Sequence, residues 1–204
     1  MNQTTRTNLY NLLSGDIKVT DSLIDVGCGC YFFDLIDFEN TEFKTIQGLD
    51  RDLYQTFLQY RKQKKLKHTY ELHQQFLKRF RLSKMDFRDY NFKEKEFSLI
   101  ICEHVLHFYR DEEKYIYLDL FYNSLQIDGL LFIKLNHCKN EDNTDPSEML
   151  ELETNVFQNK KHPEDVRYLI DSETFLNTVR NKYFIIENYT IIDDEALTFV
   201  IRKR

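Results

Sequence analysis

Residues 22–31 read SLIDVGCGCY. Leu23, Ile24 and Val26 form an apolar run of strand length that breaks at Gly27-Cys28-Gly29. The chain holds only 5 glycines in 204 residues, so two of them one position apart mark a place where the backbone turns. Glycine accepts positive φ and lets the backbone come close to a ligand. Alone, the pair suits a tight strand-to-helix turn as well as a binding loop. The apolar positions from Tyr31 to Ile36 suit the helix start that either reading needs.

Working outward, strand and helix patterns alternate. Residues 1–20 read as a short helix and a turn. Phe43 to Leu49 reads as a second strand ending at Asp50. Residues 51–80 are helical in pattern, with Leu53, Phe57 and Tyr60 and then Leu72, Phe76 and Phe80 at helical spacing. Arg81 to Asp86 is a third strand. Phe97 to Cys102 is a fourth, apolar enough to be covered on both faces. Asp111 to Leu125 reads as a helix, and Gly129 to Leu135 as a fifth strand after an Asp128-Gly129 turn. Residues 136–165 are polar and carry both prolines, with a helix expected over Met149 to Phe157. Asp171 caps a helix that holds Phe175, Leu176 and Val179. Tyr183 to Ile192 and Ala196 to Ile201 then form a hairpin around Asp193-Asp194-Glu195. Such alternation predicts a parallel sheet with helices on both faces, and the hairpin adds one antiparallel strand.

Apolar residues make up 42% of the chain and charged residues 30%, the balance of a globular domain. A net charge of −6 argues against a general nucleic-acid binder. The start, MNQTTRTNLYNLL, lacks a signal-peptide pattern, and no segment has the ~18 apolar residues of a membrane span. A cytoplasmic protein is expected. Cys28, Cys30, Cys102 and Cys138 make no C-x-x-C pair and no zinc-like spacing, so they read as buried free thiols and no metal site is expected.

In open α/β sheets, ligands bind beyond the carboxyl ends of the strands, where the strand order reverses. Four such ends carry polar groups. Asp25 precedes the glycines, a poor place for a phosphate and a good one for a cation. Asp50 ends the second strand about 20 residues on, which suits a carboxylate gripping ribose hydroxyls; it also suits a simple cap, with Arg51 and Asp52 beside it. Asp86-Phe87 can hold an exocyclic amine and stack on a purine, or be a solvated turn with Phe87 in the core. Cys102-Glu103-His104, with His107, faces the centre of such a ligand; the histidines can equally be packed or exposed residues of a helix start. A dinucleotide site would want a third glycine and a helix aimed at a pyrophosphate.

The ordered set LIDVGCGCYFFDL (23–35), IQGLDRD (46–52), KMDFRDYNF (84–92), FSLIICEHVLHF (97–108) and LQIDGLLFIKL (125–135) resembles the class I S-adenosylmethionine-dependent methyltransferases, nearest to the small methyltransferase-11/25 and tellurite-resistance types. The resemblance implies an α/β fold: a Rossmann-like three-layer sandwich with a mostly parallel seven-stranded sheet and a terminal antiparallel hairpin, in one domain over 1–204. It implies S-adenosylmethionine as cofactor. Asp25, Gly27, Cys28 and Gly29 would line its methionine end, and Asp50, with Arg51 beside it, its ribose. Asp86 and Phe87 would hold its adenine, and Cys102 would lie beside its middle. Methyl transfer to a small molecule rests mainly on alignment. Glu103, His104 and His107 are the candidate bases.

Residues 136–165 would cap the acceptor pocket, and Glu148, Glu151, Glu153 and Phe157 there suggest a cationic acceptor. Tyr31 stands where the family usually has a small residue, and would narrow the pocket or cover the cofactor. Residues 60–84 hold nine Lys and Arg against the single acid Glu71. That segment reads as a solvated helical face, or as a dock for RNA or an acidic partner. Two further readings are therefore an RNA or protein methyltransferase, and a methyltransferase-fold binding module with a dead site.

Overall fold

β1 (Ser22–Val26) is the strand on which the others are built. Leu23, Ile24 and Val26 have no exposed surface, because β1 lies inside the sheet between two parallel neighbours. The computed structural model describes residues 22–29, 45–52, 80–137, 144–186, 190–192 and 196–204. The expected helices over 1–20, 31–36 and most of 51–80 lie outside them, as do Tyr31, Cys30, Cys138 and all of the basic segment except its last residues.

On one side of β1 stand β2 (Thr45–Asp50) and then β3 (Phe80–Lys84), which forms the edge and carries Arg81 and Lys84. On the other side stand β4 (Phe97–Glu103), β5 (Leu125–Asn136) and β11 (Ala196–Arg202). The short β9 (Phe184–Ile185) and β10 (Ile191–Ile192) pair with successive stretches of β11. The sheet is thus seven lanes wide, as expected. β1 to β5 run parallel, and β11 runs antiparallel to β5. The chain leaves β1 toward β3 and returns to β4 on β1's other flank. The strand order therefore reverses between β1 and β4.

Alternate residues show that both faces of the sheet are covered. Ile24, Val26, Ile100, Leu131, Ile133 and Phe199 belong to one buried cluster, while Leu23, Leu99, Ile101, Phe132 and Val200, pointing the other way, are equally buried. Helix α1 (Asp111–Ser124) adds Leu118 and Phe121 to the first face, and α2 (Ser172–Lys182) adds Phe175, Leu176 and Val179. The two helices lie side by side: Tyr115 stacks on Phe175 at 5.3 Å, and Lys182 bonds Asp119 at 2.5 Å. Asp171 caps α2 as expected, accepting from the Thr174 N–H at 2.9 Å.

The Asp128-Gly129 turn lies within β5 rather than before it. Leu125 still pairs with Phe97, the register then shifts, and Leu130 pairs with Leu99. Asp128 has φ 64°, and a Cβ at Gly129 would stand 2.8 Å from the Gln126 carbonyl oxygen. The strand keeps its pairing by bulging at the one place where a side chain is missing.

The helix expected over Met149–Phe157 is absent. That stretch forms β6 (Met149–Glu153) and β7 (Val156–Asn159), which join β8 (Val166–Tyr168) in a separate antiparallel sheet. The turn between β6 and β7 needs Asn155 at φ 62°, a conformation asparagine tolerates better than most residues. Met149, Phe157 and Leu169 make a small core beneath it. β8 packs on the turn at Leu106–Phe108. The buried Lys114 of α1 reaches the same strand, donating to the Tyr168 carbonyl at 2.8 Å and to Asp111 at 2.5 Å. No helix among the described residues is long and apolar enough to cross a membrane.

Candidate active site

The turn after β1 is held from β2. The N–H groups of Gly27 and Cys28 both donate to the Leu49 carbonyl, at 2.7 and 3.0 Å. Gly29 N–H donates to the Asp50 carboxylate at 2.9 Å, and the other oxygen of Asp50 accepts from Asp52 N–H at 2.7 Å. Both glycines take positive φ, 66° and 48°. A Cβ at Gly27 would stand 2.2 Å from Val105 Cγ2, so β1 and the segment after β4 close on each other only through a glycine. Above Gly29, by contrast, the only described atom within 4 Å of such a Cβ is the Gly27 carbonyl oxygen at 3.8 Å. Gly27 is a packing necessity, and no described side chain crowds Gly29 at the reversal of strand order.

Asp25 is 3% exposed and sits between two acids. It is in register with Gly48 of β2 and Ile101 of β4, so Asp50 and Glu103 lie two positions further along their own strands. Burial, then the charges of Glu103 and Asp50, push its carboxyl well above the ordinary aspartate range. The same surroundings raise the thiols of Cys28 and Cys102, burial first. Both cysteines are free and buried, as expected, with thiols that stay protonated.

Asp86 is engaged by its own turn: it accepts from Arg88 N–H at 3.0 Å and from the Arg88 side chain at 2.9 and 2.7 Å. Those bonds hold its carboxyl below the usual range. The expectation that the Phe87 ring would stack on a purine is corrected here. The ring is 5% exposed and packs edge-on against Tyr117 at 4.9 Å and Tyr109 at 5.5 Å. An aromatic just after a strand end is drawn inward by the apolar surface it can bury. Only the backbone of Phe87 remains available to a ligand. Arg51 is exposed beside the turn.

The residues after β4 form a second group. His104 takes a left-handed backbone, φ 54°, and its N–H donates to the Lys134 carbonyl at 2.9 Å. Its Nδ1 lies 2.7 Å from Asn136 Oδ1. Although part of the ring meets solvent, crowding by protein atoms and then the Lys134 ammonium push its pKa down to about 4. His107 is 3% exposed, and its Nδ1 makes no hydrogen bond among the described residues. Burial, with the charges of His104, Arg167 and Lys114, holds it neutral. The two rings are 6.0 Å apart. Glu103 faces Lys134 in register across β4 and β5. The acids expected to line an acceptor pocket do not converge: Glu148, Glu151 and Glu153 are exposed, and Phe157 is in the small core. A cavity of about 200 Å³ lies between the start of α1 and the β6–β7 turn; Glu153 lines it with Asp111, Glu112 and Tyr168, whereas Asp25, Asp50, Asp86, Glu103 and His104 do not.

A family model described as a methyltransferase domain matches residues 24–133, from β1 through β5. The chain belongs to the class I S-adenosylmethionine-dependent methyltransferases. No curated protein matches it in sequence. Solved structures agree on the fold of this methyltransferase. One is an S-adenosylmethionine-dependent methyltransferase from Clostridium acetobutylicum, at 14% identity, covering 100% of this chain and 92% of that one, with a TM-score of 0.67. Another is the Burkholderia thailandensis 1,6-didemethyltoxoflavin-N1-methyltransferase, solved with 1,6-didemethyltoxoflavin and S-adenosylhomocysteine (13% identity, 99% and 79% covered, TM-score 0.64). A third is the N-methyltransferase NodS from Bradyrhizobium japonicum with S-adenosylhomocysteine (13% identity, 98% and 86% covered, TM-score 0.60).

Three participants escaped sequence reasoning: Lys134, Asn136 as the partner of His104, and Arg167 of β8. The first two follow once β4 and β5 are known to be parallel neighbours, since Lys134 then lies level with Glu103 and Asn136 two residues further along β5. Arg167 has no such signal, because nothing in a polar stretch says which residue will fold back onto the sheet.

Proposed function

We propose that this methyltransferase moves the methyl group of S-adenosylmethionine to a small-molecule acceptor. The observation that carries the reading is the turn at Gly27–Gly29. It is a backbone cradle, locked by Asp50, at the reversal of strand order, with no described side chain over Gly29. The donor set fits the cofactor. Asp25 and Glu103 offer negative charge to its amino and sulfonium groups. Asp50 keeps acceptor capacity for ribose hydroxyls, since each of its oxygens has a second lone pair. Asp86 and the Phe87 backbone stand ready for adenine, and Cys102 lines the floor. The cofactor supplies an electrophilic methyl group.

The chain's own task is to align that methyl with the acceptor and exclude water, and alignment alone is worth several kcal/mol. Glu103, His104 and His107, which follow β4, are the candidate bases on this reading. We place the β6–β8 sheet as the cap over that acceptor, because β8 packs on the turn holding His107. Two similar folds, from Burkholderia and Bradyrhizobium, act as N-methyltransferases, and the first was solved with its heterocyclic acceptor; they support an acceptor of metabolite size.

Thermal unfolding with and without S-adenosylmethionine tests the reading. At about 100 times the dissociation constant, stabilisation is ~2.7 kcal/mol, a rise of roughly 5–10 °C for a chain of this size. No shift at millimolar ligand overturns it.

A further inference from the structure

Among the groups after β4, His104 has a direction fixed by backbone and side chain together. His104 is pinned at three points: a left-handed backbone at φ 54°, its N–H on the Lys134 carbonyl at 2.9 Å, and its Nδ1 at 2.7 Å from Asn136 Oδ1. A non-glycine residue held at positive φ costs on the order of 1 kcal/mol or more, and such costs persist where the surrounding structure over-determines them. Asn136 is the last residue of β5, in register with Ala196 of β11, so it is anchored by the sheet and not by a loop. With the carboxamide oxygen facing Nδ1, the ring carries its proton there and its Nε2 lone pair is free.

Resting on the methyltransferase reading above, we infer that Asn136 positions His104 as the proton acceptor of this enzyme. Lys134 on β5 and Arg167 on β8, itself bonded to Asp165 at 2.8 Å, act on His104, while Arg167 and Lys114 on α1 act on the buried His107, and Glu103 on β4 stands in register with Lys134. In the transfer, a lone pair of the acceptor atom forms the new bond to the methyl carbon while the C–S bond breaks and its pair returns to sulfur. The pair of the acceptor's bond to hydrogen stays on the acceptor atom as the proton passes to His104 Nε2, leaving a methylated acceptor and a neutral thioether.

Long-range ¹H–¹⁵N NMR of the ring nitrogens, on the full chain saturated with S-adenosylhomocysteine, reads this directly. The wild type is expected to show His104 as the Nδ1–H tautomer near neutral pH. Asn136→Ala should shift it toward the Nε2–H form, and Asn136→Asp, which still accepts from Nδ1–H, should restore it. An Nε2–H tautomer in the wild type, or an Asn136→Ala variant with an unchanged tautomer, overturns the positioning role. A wild type that gives no thermal shift with either S-adenosylmethionine or S-adenosylhomocysteine overturns the methyltransferase reading instead, so the two failures are distinct.

Discussion

At the ends of β1 and β2 the candidate site is tied within 21 positions of chain, Gly29 to Asp50, whereas the group around His104 draws on β4, β5, α1 and β8. The first half works through backbone and short acids. Glycines supply positive φ, and Asp50 ties the turn by two backbone N–H groups. The second works through long side chains brought together from distant segments: His104 and Asn136 are 32 positions apart, and Lys114 and Tyr168 are 54 apart. A local device of this kind is rigid at its own strand ends. A non-local one depends on the seating of the β6–β8 sheet.

The largest expected effect falls where the turn after β1 meets the segment after β4. Gly27→Ala must place a Cβ 2.2 Å from Val105 Cγ2 at φ 66°. Overpacking and left-handed strain together should cost about 3 kcal/mol in denaturant unfolding. The double variant Gly27→Ala with Val105→Ala should recover only the steric share. If the single variant costs nothing, the close approach of β1 and the post-β4 segment is not real.

Next comes Asp50→Ala, which should remove most of the 5–10 °C rise given by S-adenosylmethionine. A retained shift would move the ribose contact elsewhere. In the non-local half, Lys114→Met should cost about 1–2 kcal/mol by leaving the Tyr168 carbonyl without its donor. It should also speed amide exchange across 149–168 while leaving the cofactor-induced shift intact. Equal exchange there would mean that the small sheet is seated by its apolar core alone.

The smallest effect is a gain. Asp25 has its pKa raised in the folded protein, so its contribution is harmless at low pH and becomes a cost as pH rises above the ordinary aspartate value. Asp25→Asn should therefore stabilise the ligand-free protein by roughly 1 kcal/mol at pH 8, with the gain fading toward pH 4. It should weaken S-adenosylmethionine binding at the same time. A loss of stability at pH 8 would show that the carboxylate is well compensated in the folded state.

The contrast also explains what was legible. β1 to β5 and the helices at 111–124 and 172–182 followed from apolar runs and caps, because each buries its pattern against one continuous sheet. Phe87 was left between two readings because an aromatic beside an acid looks the same whether it faces a ligand or a core. Here Tyr109, Tyr117 and Phe121 offered it more apolar surface. Residues 149–157 were misjudged for a related reason. Their alternation is partial, with Leu150 and Leu152 left exposed on β6, and the strand conformation is fixed by pairing with β7 and β8 and not by local propensity.

By itself, then, the sequence determined the parallel sheet, the glycine turn and the acids at the ends of β1, β2 and β3, since those depend on backbone freedom and on apolar periodicity within short stretches. The tertiary structure decided the rest. It set Asp25 between two other carboxylates, turned the Phe87 ring away from the site, and brought Asn136 to His104. Each of these depends on which strands become neighbours and at what register, and contacts between strands far apart in the chain leave no local trace in the order of residues.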